Sequence, residues 1–304
     1  EGLSVLRRYG IGLSAVLLAL TAFWMLALVW LPYAVMIEQS FRLYLPFSEI
    51  NGPRDVYTIA NYLSLFETSA TKSLLGIPVP ITIYIFLITV LYSCMVTLLC
   101  VALAYPLAWY LAKRAALGTV PTLFLLLIIP LFVSEFLRAY AWFIILAYQG
   151  PLNAILGAFG IGKVRWISGY TGVILGMIYT YILFMFFPIY NSLTALDNSQ
   201  VEAAEDLGAR WWEVHYLVAL PHAKSGISSG CTMVFMFCVG SVLVPTLLGS
   251  PSSRWFTEII LRTMFESQDW NTASAYAFLL LLICLVFVSL MMRLFKVHMS
   301  DIAK

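Results

Sequence analysis

A helix crosses the roughly 30 Å hydrocarbon layer of a bilayer in about 20 residues. Six stretches of this 304-residue chain reach that length with almost no charged side chain: Ile11–Ile37, Val79–Ala112, Pro121–Ala147, Gly169–Leu193, Ser225–Leu248 and Ala273–Leu294. Nothing constrains the fold more. With 62% hydrophobic and only 11% charged residues, the chain has too little polar surface for a soluble domain of this size. Barrel strands are shorter and alternate in polarity, so the expected spans are helices. The expectation is an all-α, polytopic protein with six transmembrane helices forming one domain over residues 1–304. Arg7 and Arg8 precede the first run, but no small-residue cleavage pattern follows and the run exceeds a signal-peptide core, so it reads as a retained helix.

An even number of spans puts both termini on one side. The positive-inside rule assigns Arg7, Arg8, Lys113, Arg114, Arg210, Lys224, Arg293, Lys296 and Lys304 to the cytoplasm, against the smaller set Arg42, Arg54, Lys72, Lys163, Arg165, Arg254 and Arg262 opposite. A net charge of +2, without a basic stripe carrying interleaved aromatics, excludes nucleic acid as a partner. All five cysteines (Cys94, Cys100, Cys231, Cys238, Cys284) fall inside expected spans and read as packing residues. His215, His222 and His298 are too scattered to suggest a metal site. Gly157, Gly162 and Lys163 have phosphate-loop spacing, yet Val164 stands where Ser or Thr would hold magnesium and no strand precedes them, so the match is coincidental. No nucleophile, base and acid set lies in a plausible aqueous pocket, so this chain is not expected to be an enzyme.

One charged segment, about residues 195–224, interrupts the apolar pattern. Asp197, Asn198 and Ser199 offer caps, and Ser199 with Glu202 fits a capping box. Gly208 supplies a left-handed helix end, a second run from Ala209 to Ala219 carries Trp211, Trp212, Val214, Leu217 and Val218, and Pro221 is expected to stop it. The set Glu202-Ala203-Ala204, Asp206, Gly208 and Leu220-Pro221 resembles the EAA loop of the membrane subunits of bacterial ABC importers. The resemblance implies that the loop is cytoplasmic and that its first helix docks in a cleft of an ATPase dimer. Further partners it implies are a second, similar permease subunit and an extracytoplasmic solute-binding protein. ATP and magnesium would then be bound by the ATPase subunits, and no cofactor by this chain.

Segments Leu103–Lys113, Ser134–Trp142 and Gly150–Asn153, with Asp269-Trp270 before the last span, are similar to the spermidine/putrescine-type permeases of the bacterial inner membrane, of the type I importer fold. Permeases for iron, thiamine, phosphonates and other small polar solutes share much of this pattern. Glu135 and Arg138, three apart inside the third run, face either each other as a structural pair or the solute path. Tyr140, Trp142, Tyr179 and Tyr181 could offer ring faces to an ammonium group or mark the bilayer interface. Glu258, Glu266 and Asp269, in a short external loop, could touch a binding protein or guide a cation. Gly172 to Gly176 and Gly226 to Gly230 have the spacing for close helix approach, and Pro106, Pro130, Pro188 and Pro245 are expected to bend or end helices. A short interfacial helix is expected around Ala60–Glu67. A secondary carrier would show inverted repeats and ion ligands near the midplane, which this chain does not.

Overall fold

The structure, a computed structural model, describes residues 2–45, 49, 52–53, 55–66, 71–74, 77–116 and 118–296. The expectations for Asn51, Arg54, Glu67, His298 and Lys304, and for the side chains of Arg7 and Arg8, lie outside it. In chain order the elements are α1 (Gly2–Met25), a π-helical turn (Leu26–Trp30), α2 (Leu31–Ser40), α3 (Ala60–Leu63), β1 (Thr71–Leu74) and β2 (Ile77–Pro80). There follow α4 (Ile81–Trp109) with a π-helical turn (Tyr110–Arg114), α5 (Val120–Ile128) with a 3-10 turn (Ile129–Phe132), α6 (Glu135–Leu146), α7 (Pro151–Ala158) and α8 (Tyr170–Thr194). The chain continues through α9 (Asn198–Asp206), α10 (Trp211–Val214), a π-helical turn (His215–Ala219), α11 (Leu220–Gly240), α12 (Leu243–Leu248), α13 (Phe256–Phe265) and α14 (Trp270–Phe295). Among the described residues, five helical segments are long and apolar enough to cross a membrane: Gly12–Ser40, Ile81–Arg114, Glu135–Ala158, Tyr170–Thr194 and Trp270–Phe295. α11, with 21 residues, carries the fifth expected span but begins on the polar run His222–Gly226.

Contacts divide the chain into two compact units, one of residues 1–68 with 260–279 and one of residues 69–259 with 280–304. In the first, the segment after α2 is organised around Arg42, whose guanidinium binds Glu38 at 2.7 Å and Asp55 at 3.0 Å. Buried Asn61 donates to the carbonyls of Ser40 and Arg42. The interfacial helix is one turn long, Ala60–Leu63, shorter than the sequence suggests.

The second unit is built on α4, α8 and α11. Val96, Cys100, Ala104 and Ala108 recur every four residues along α4 and are buried against Val173, Met177 and Ile189 of α8 and Ile227, Val234 and Cys238 of α11. The cysteines are free, and Cys100, Cys231 and Cys238 are buried. The glycine pairs do what their spacing predicts. A Cβ at Gly226 would overlap the Pro188 carbonyl and the Ser192 hydroxyl, and one at Gly230 would lie 2.7 Å from Met185 Sδ. α11 therefore rides backbone-to-backbone on α8.

Four expectations need correction. The run Pro121–Ala147 is not one helix: the 3-10 turn at Pro130 ends the first part and Val133–Ser134 is extended before α6 begins. The fifth span is broken at Ser241–Val242. The Cys238 carbonyl, which also takes the Ser241 amide, accepts from Trp255 Nε1 at 3.0 Å, and the Ser241 carbonyl accepts from the Thr257 hydroxyl. Pro221 does not stop a helix. Helical backbone runs unbroken from Trp211 to Gly240, and the π-helical turn just before Pro221 provides the extra width that accommodates a ring lacking an N–H. Finally, the stretch after Leu248 is not simply a loop, because Glu258 lies on α13, and the antiparallel hairpin β1–β2 has no counterpart in the sequence reading. Pro106 and Pro188 lie within α4 and α8, which continue past them.

The Gly150-Pro151-Leu152-Asn153 motif has a structural explanation. Asn153 is buried, donates from Nδ2 to the carbonyls of Tyr148 and Val164, and accepts at Oδ1 from the Val164 amide and Trp166 Nε1. It clamps the whole turn between α7 and α8. The phosphate-loop spacing falls on α7 and the turn after it, with no strand, and Lys163 lies over the Tyr148 ring.

Gly226→Val should force α11 away from α8 and destabilise the purified protein by about 1–3 kcal/mol, as overpacking of a tight core does. Thermal unfolding in detergent measures this, with Gly240→Ala, which meets no atom within 4 Å, expected to unfold close to wild type.

Candidate coupling hairpin and solute cavity

The charged segment folds as a capped hairpin. Asp197, not Ser199, caps α9: its carboxylate accepts from the Ser199 amide at 3.1 Å, and that bond holds the carboxyl below its ordinary pKa. The Ser199/Glu202 capping box therefore does not form, because the helix starts two residues too early for it. At the other end Gly208 adopts φ +84°. The Ala209 amide bonds the Ala204 carbonyl and the Gly208 amide bonds the Glu205 carbonyl, which together make a Schellman closure. α10 is secured by Glu213, whose carboxylate accepts from the Arg210 amide at 2.7 Å.

The hairpin has an inner and an outer face. Val201, Ala204, Ala209 and Leu220 pack on the core of the second unit, while Glu202, Ala203, Asp206, Gly208 and Pro221 are exposed. So are Leu207 at 90%, Trp211 at 74%, Tyr216 and Leu217. Exposed apolar residues rimmed by carboxylates are found where a protein meets a partner or a membrane.

Two sets of contacts tie this hairpin to the end of α4. Lys113 Nζ donates to the Leu196 carbonyl and to Asn198 Oδ1, and Arg114 lies 3.5 Å from Glu205. His215 shares a 2.9 Å hydrogen bond with the Tyr105 hydroxyl and sits against Trp109, with ring centroids 4.4 Å apart, and Trp211. Burial, followed by the charge of Arg114, holds the His215 imidazole below its ordinary pKa. It is therefore uncharged near neutrality and packs as an aromatic ring. Nothing in the sequence marks this role, since Tyr105 and His215 are far apart along the chain.

A cavity of about 440 Å³ lies within the second unit, between the start of α6, the middle of α8 and the broken end of α11. Its charged lining is Glu135 and Arg138; Thr180, Tyr181, Phe184, Phe237 and Ser241 supply most of the rest. Tyr181 stands near the middle of the 25-residue α8 and donates its hydroxyl to Glu135 Oε1 at 3.1 Å. Glu135 is thus held near mid-span, and α5 with its 3-10 turn, about 20 Å long, leads to that depth. Among the described residues no ion pair joins Glu135 to Arg138, so the reading of a mutually neutralising pair is not supported. Both helix breaks, at Val133–Ser134 and Ser241–Val242, adjoin this cavity. Interrupted backbone at membrane depth is tolerated where it lines a cavity or is buried in protein.

The other expected path residues stand outside the lining. Tyr140 stacks between Phe136 and Phe143 along α6, and Trp142 packs on Tyr179 at 5.4 Å. Asp269, in the first unit, accepts from the Thr272 amide and caps α14. Glu266 lies 3.9 Å from Arg262. Thr180, Phe184, Phe237 and Ser241 were not legible as cavity residues, because a lining assembled from three helices leaves no local pattern.

The family described as "Binding-protein-dependent transport system inner membrane component" matches residues 4–299. The spermidine/putrescine transport system permease protein PotB of Escherichia coli K12 is 29% identical over 254 residues, which are 83% of this chain and 86% of that protein. PotB of Haemophilus influenzae is 28% identical, covering 81% of this chain and 83% of that protein. The inner membrane ABC transporter permease protein YdcU of Escherichia coli K12 is 30% identical over 64% of this chain and 62% of that protein. A chain of a bacterial ABC transporter that imports the acidic polysaccharide alginate superposes with a TM-score of 0.67 at 16% identity, covering 96% of this chain and 97% of that one, which speaks for the fold. Permease subunits of this kind have no ATPase site of their own; they work with an ATPase and a solute-binding protein. The chain belongs to the family of inner membrane components of binding-protein-dependent transport systems, and is a multi-pass permease subunit of an ABC importer.

Proposed function

We propose that this permease conducts a small polar amine of the polyamine class, that the cavity at Glu135 lies on the solute path, and that the hairpin Asn198–Val214 transmits the state of the ATPase. The observation that carries the solute assignment is the Glu135 carboxylate, held by Tyr181 near the middle of α8 on the wall of a cavity. A carboxylate at that depth is costly unless it faces a partner or a water-filled space, and an ammonium group is the complement it offers. The relatives named for spermidine and putrescine transport support the same class. The path is shared with a second permease subunit of similar fold, as a heterodimer. The aromatic residues Tyr140, Trp142 and Tyr179 then serve the path from its margins, and Asp269 is a further candidate for contact with the solute.

Coupling follows from the two faces of the hairpin. Its outer face, with Glu202, Leu207 and Trp211, receives the ATPase; its inner face and the Lys113 and His215 contacts pass displacement to α4 and α11. Closure of the ATPase dimer favours the state in which the cavity faces the binding protein, and that preference is the differential affinity any such switch requires. In this orientation both termini and residues 195–224 are cytoplasmic.

Cysteines introduced at positions 113 and 210, in a background without native cysteines, should resist membrane-impermeant label in intact cells, whereas those at 163 and 254 should react. Labelling of position 210 from outside would reverse the orientation. Gly208→Val, which strains a left-handed position by about 1–2 kcal/mol, and Glu202→Lys should each insert at near-normal levels. Both should lose about tenfold of the ATPase stimulation by loaded binding protein, the size of an ordinary allosteric coupling. Wild-type coupling in both variants after reconstitution would remove the hairpin from the mechanism. Glu135→Gln should cut putrescine uptake by about tenfold, since it deletes one favourable charge where the effective dielectric is low; unaltered uptake would take Glu135 off the path.

A further inference from the structure

The pole of the second unit opposite the hairpin is basic. α8 runs into the hairpin at one end, and its other end, Tyr170, is about 36 Å away. Close to that far end stand Lys72 on β1, Lys163 and Arg165 in the turn before α8, and Arg254 just before α13. Among the described residues none of these four cations makes an ion pair. The Ser250 and Ser252 hydroxyls both donate to the Ser168 carbonyl, which ties the turn that leads to Arg254 to the turn that carries Arg165.

Lys72 and Arg254 share one pocket. It measures about 230 Å³, contains no carboxylate, and is completed by Tyr84, Tyr170 and Ser252 over an isoleucine floor. Both cations are held in place. Lys72 Nζ lies 4.7 Å from the centre of the Tyr84 ring. Arg254 stands between the buried residues Ser253 and Trp255. The Ser253 hydroxyl accepts from the Ser250 amide at 2.8 Å, and the Phe256 amide donates to the Thr89 hydroxyl at 3.0 Å. The Arg254 Nε is shielded from solvent and makes no hydrogen bond. Two positioned cations without a carboxylate repel each other and are complementary to an oxygen anion, above all at a guanidinium fork. The carboxylates that the sequence offered for an external contact are engaged within the chain: Glu266 lies beside Arg262, and Asp269 caps α14.

Resting on the orientation in which the hairpin is cytoplasmic, we propose that this pocket is a contact point for the solute-binding protein, which inserts a surface carboxylate between Lys72 and Arg254. Lys163 and Arg165 continue the positive charge onto an exposed turn, where they steer an acidic protein face toward the pocket. A lipid headgroup filling the pocket alone would leave that turn uncovered, whereas a protein face spans both.

The test measures equilibrium binding of the cognate binding protein, fluorescently labelled, to the intact transporter with its partner subunits in phosphatidylcholine nanodiscs. Arg254→Glu and Lys72→Glu should each weaken binding about tenfold, because each sets like charges against one another, and Arg254→Lys should fall between Arg254→Glu and wild type. Wild-type affinity should decline as salt is raised, and less steeply in either Glu variant. Lys72 is exposed on a hairpin, so wild-type affinity in Lys72→Glu overturns the proposal even if Arg254→Glu does not assemble. Variants that bind like wild type, yet lose a thermal stabilisation that phosphatidylglycerol gives wild type, would assign the pocket to a lipid headgroup and overturn the contact. If binding is unaltered while a cysteine at position 254 reacts with impermeant label in intact cells, the orientation stands and the proposal alone falls. A cysteine at 254 that resists external label takes the orientation and the proposal down together.

Discussion

Inside a bilayer there is no water to satisfy a stray amide or carbonyl, and this architecture depends on how it meets that demand. α4 and α8 meet it internally, as unbroken helices that bury small residues against one another. There are two interruptions among the described residues, before α6 and after α11. At the second, the indole of Trp255 and the hydroxyl of Thr257 take the place of the missing helical donors. The cost of breaking a helix is offset there by buried side chains from outside it, and the gap left behind becomes part of a cavity wall. Fold and site thus come from the same constraint: the bundle is continuous where it must be tight and broken where it must be open.

The opposite end of the unit follows a different logic. In the hairpin, polar atoms are abundant and conformational definition comes from caps: Asp197 at one end of α9, Gly208 at the other, Glu213 on α10. These fix the hairpin's shape, while Lys113, Arg114 and His215 fix its position against α4. The exposed tryptophan and leucines between them are unusual on a surface so well defined. A rigid hairpin with an unsatisfied apolar face is what a permease needs if a partner's motion is to be received without being absorbed.

How much of this was legible in the sequence depended on the range of the signal. Apolar runs long enough to cross a bilayer are local, and they located the helices. Gly208 is local too, since a residue between two helices that must take positive φ announces itself, and small-residue spacing on one helix face foretold the approach of α11 to α8. What escaped was decided between elements. Pro221 looked like a stop because a proline's effect was judged from its own residue, when the π-helical turn ahead of it changes the carbonyl it would clash with. Spacing alone left Glu135 and Arg138 readable either as a pair or as path residues, and the bond from Tyr181 to the carboxylate comes from another helix that the spacing could not show. Ser199 looked like a cap because it begins the capping-box spacing, when Asp197 reaches the free amide first.

The π-helical turn at His215–Ala219 has a mechanical consequence. Because helix persists on both sides of it, the chain from Trp211 at the hairpin to Gly240 at the cavity is one rod of about 45 Å. A helix of that length links the two ends by backbone hydrogen bonds without an intervening loop, and its far end is the residue before the break that shapes the cavity. At the widened turn His215, wedged among Tyr105, Trp109 and Trp211, holds the shaft against the end of α4, so the rod is anchored part-way along its length and not only at its ends.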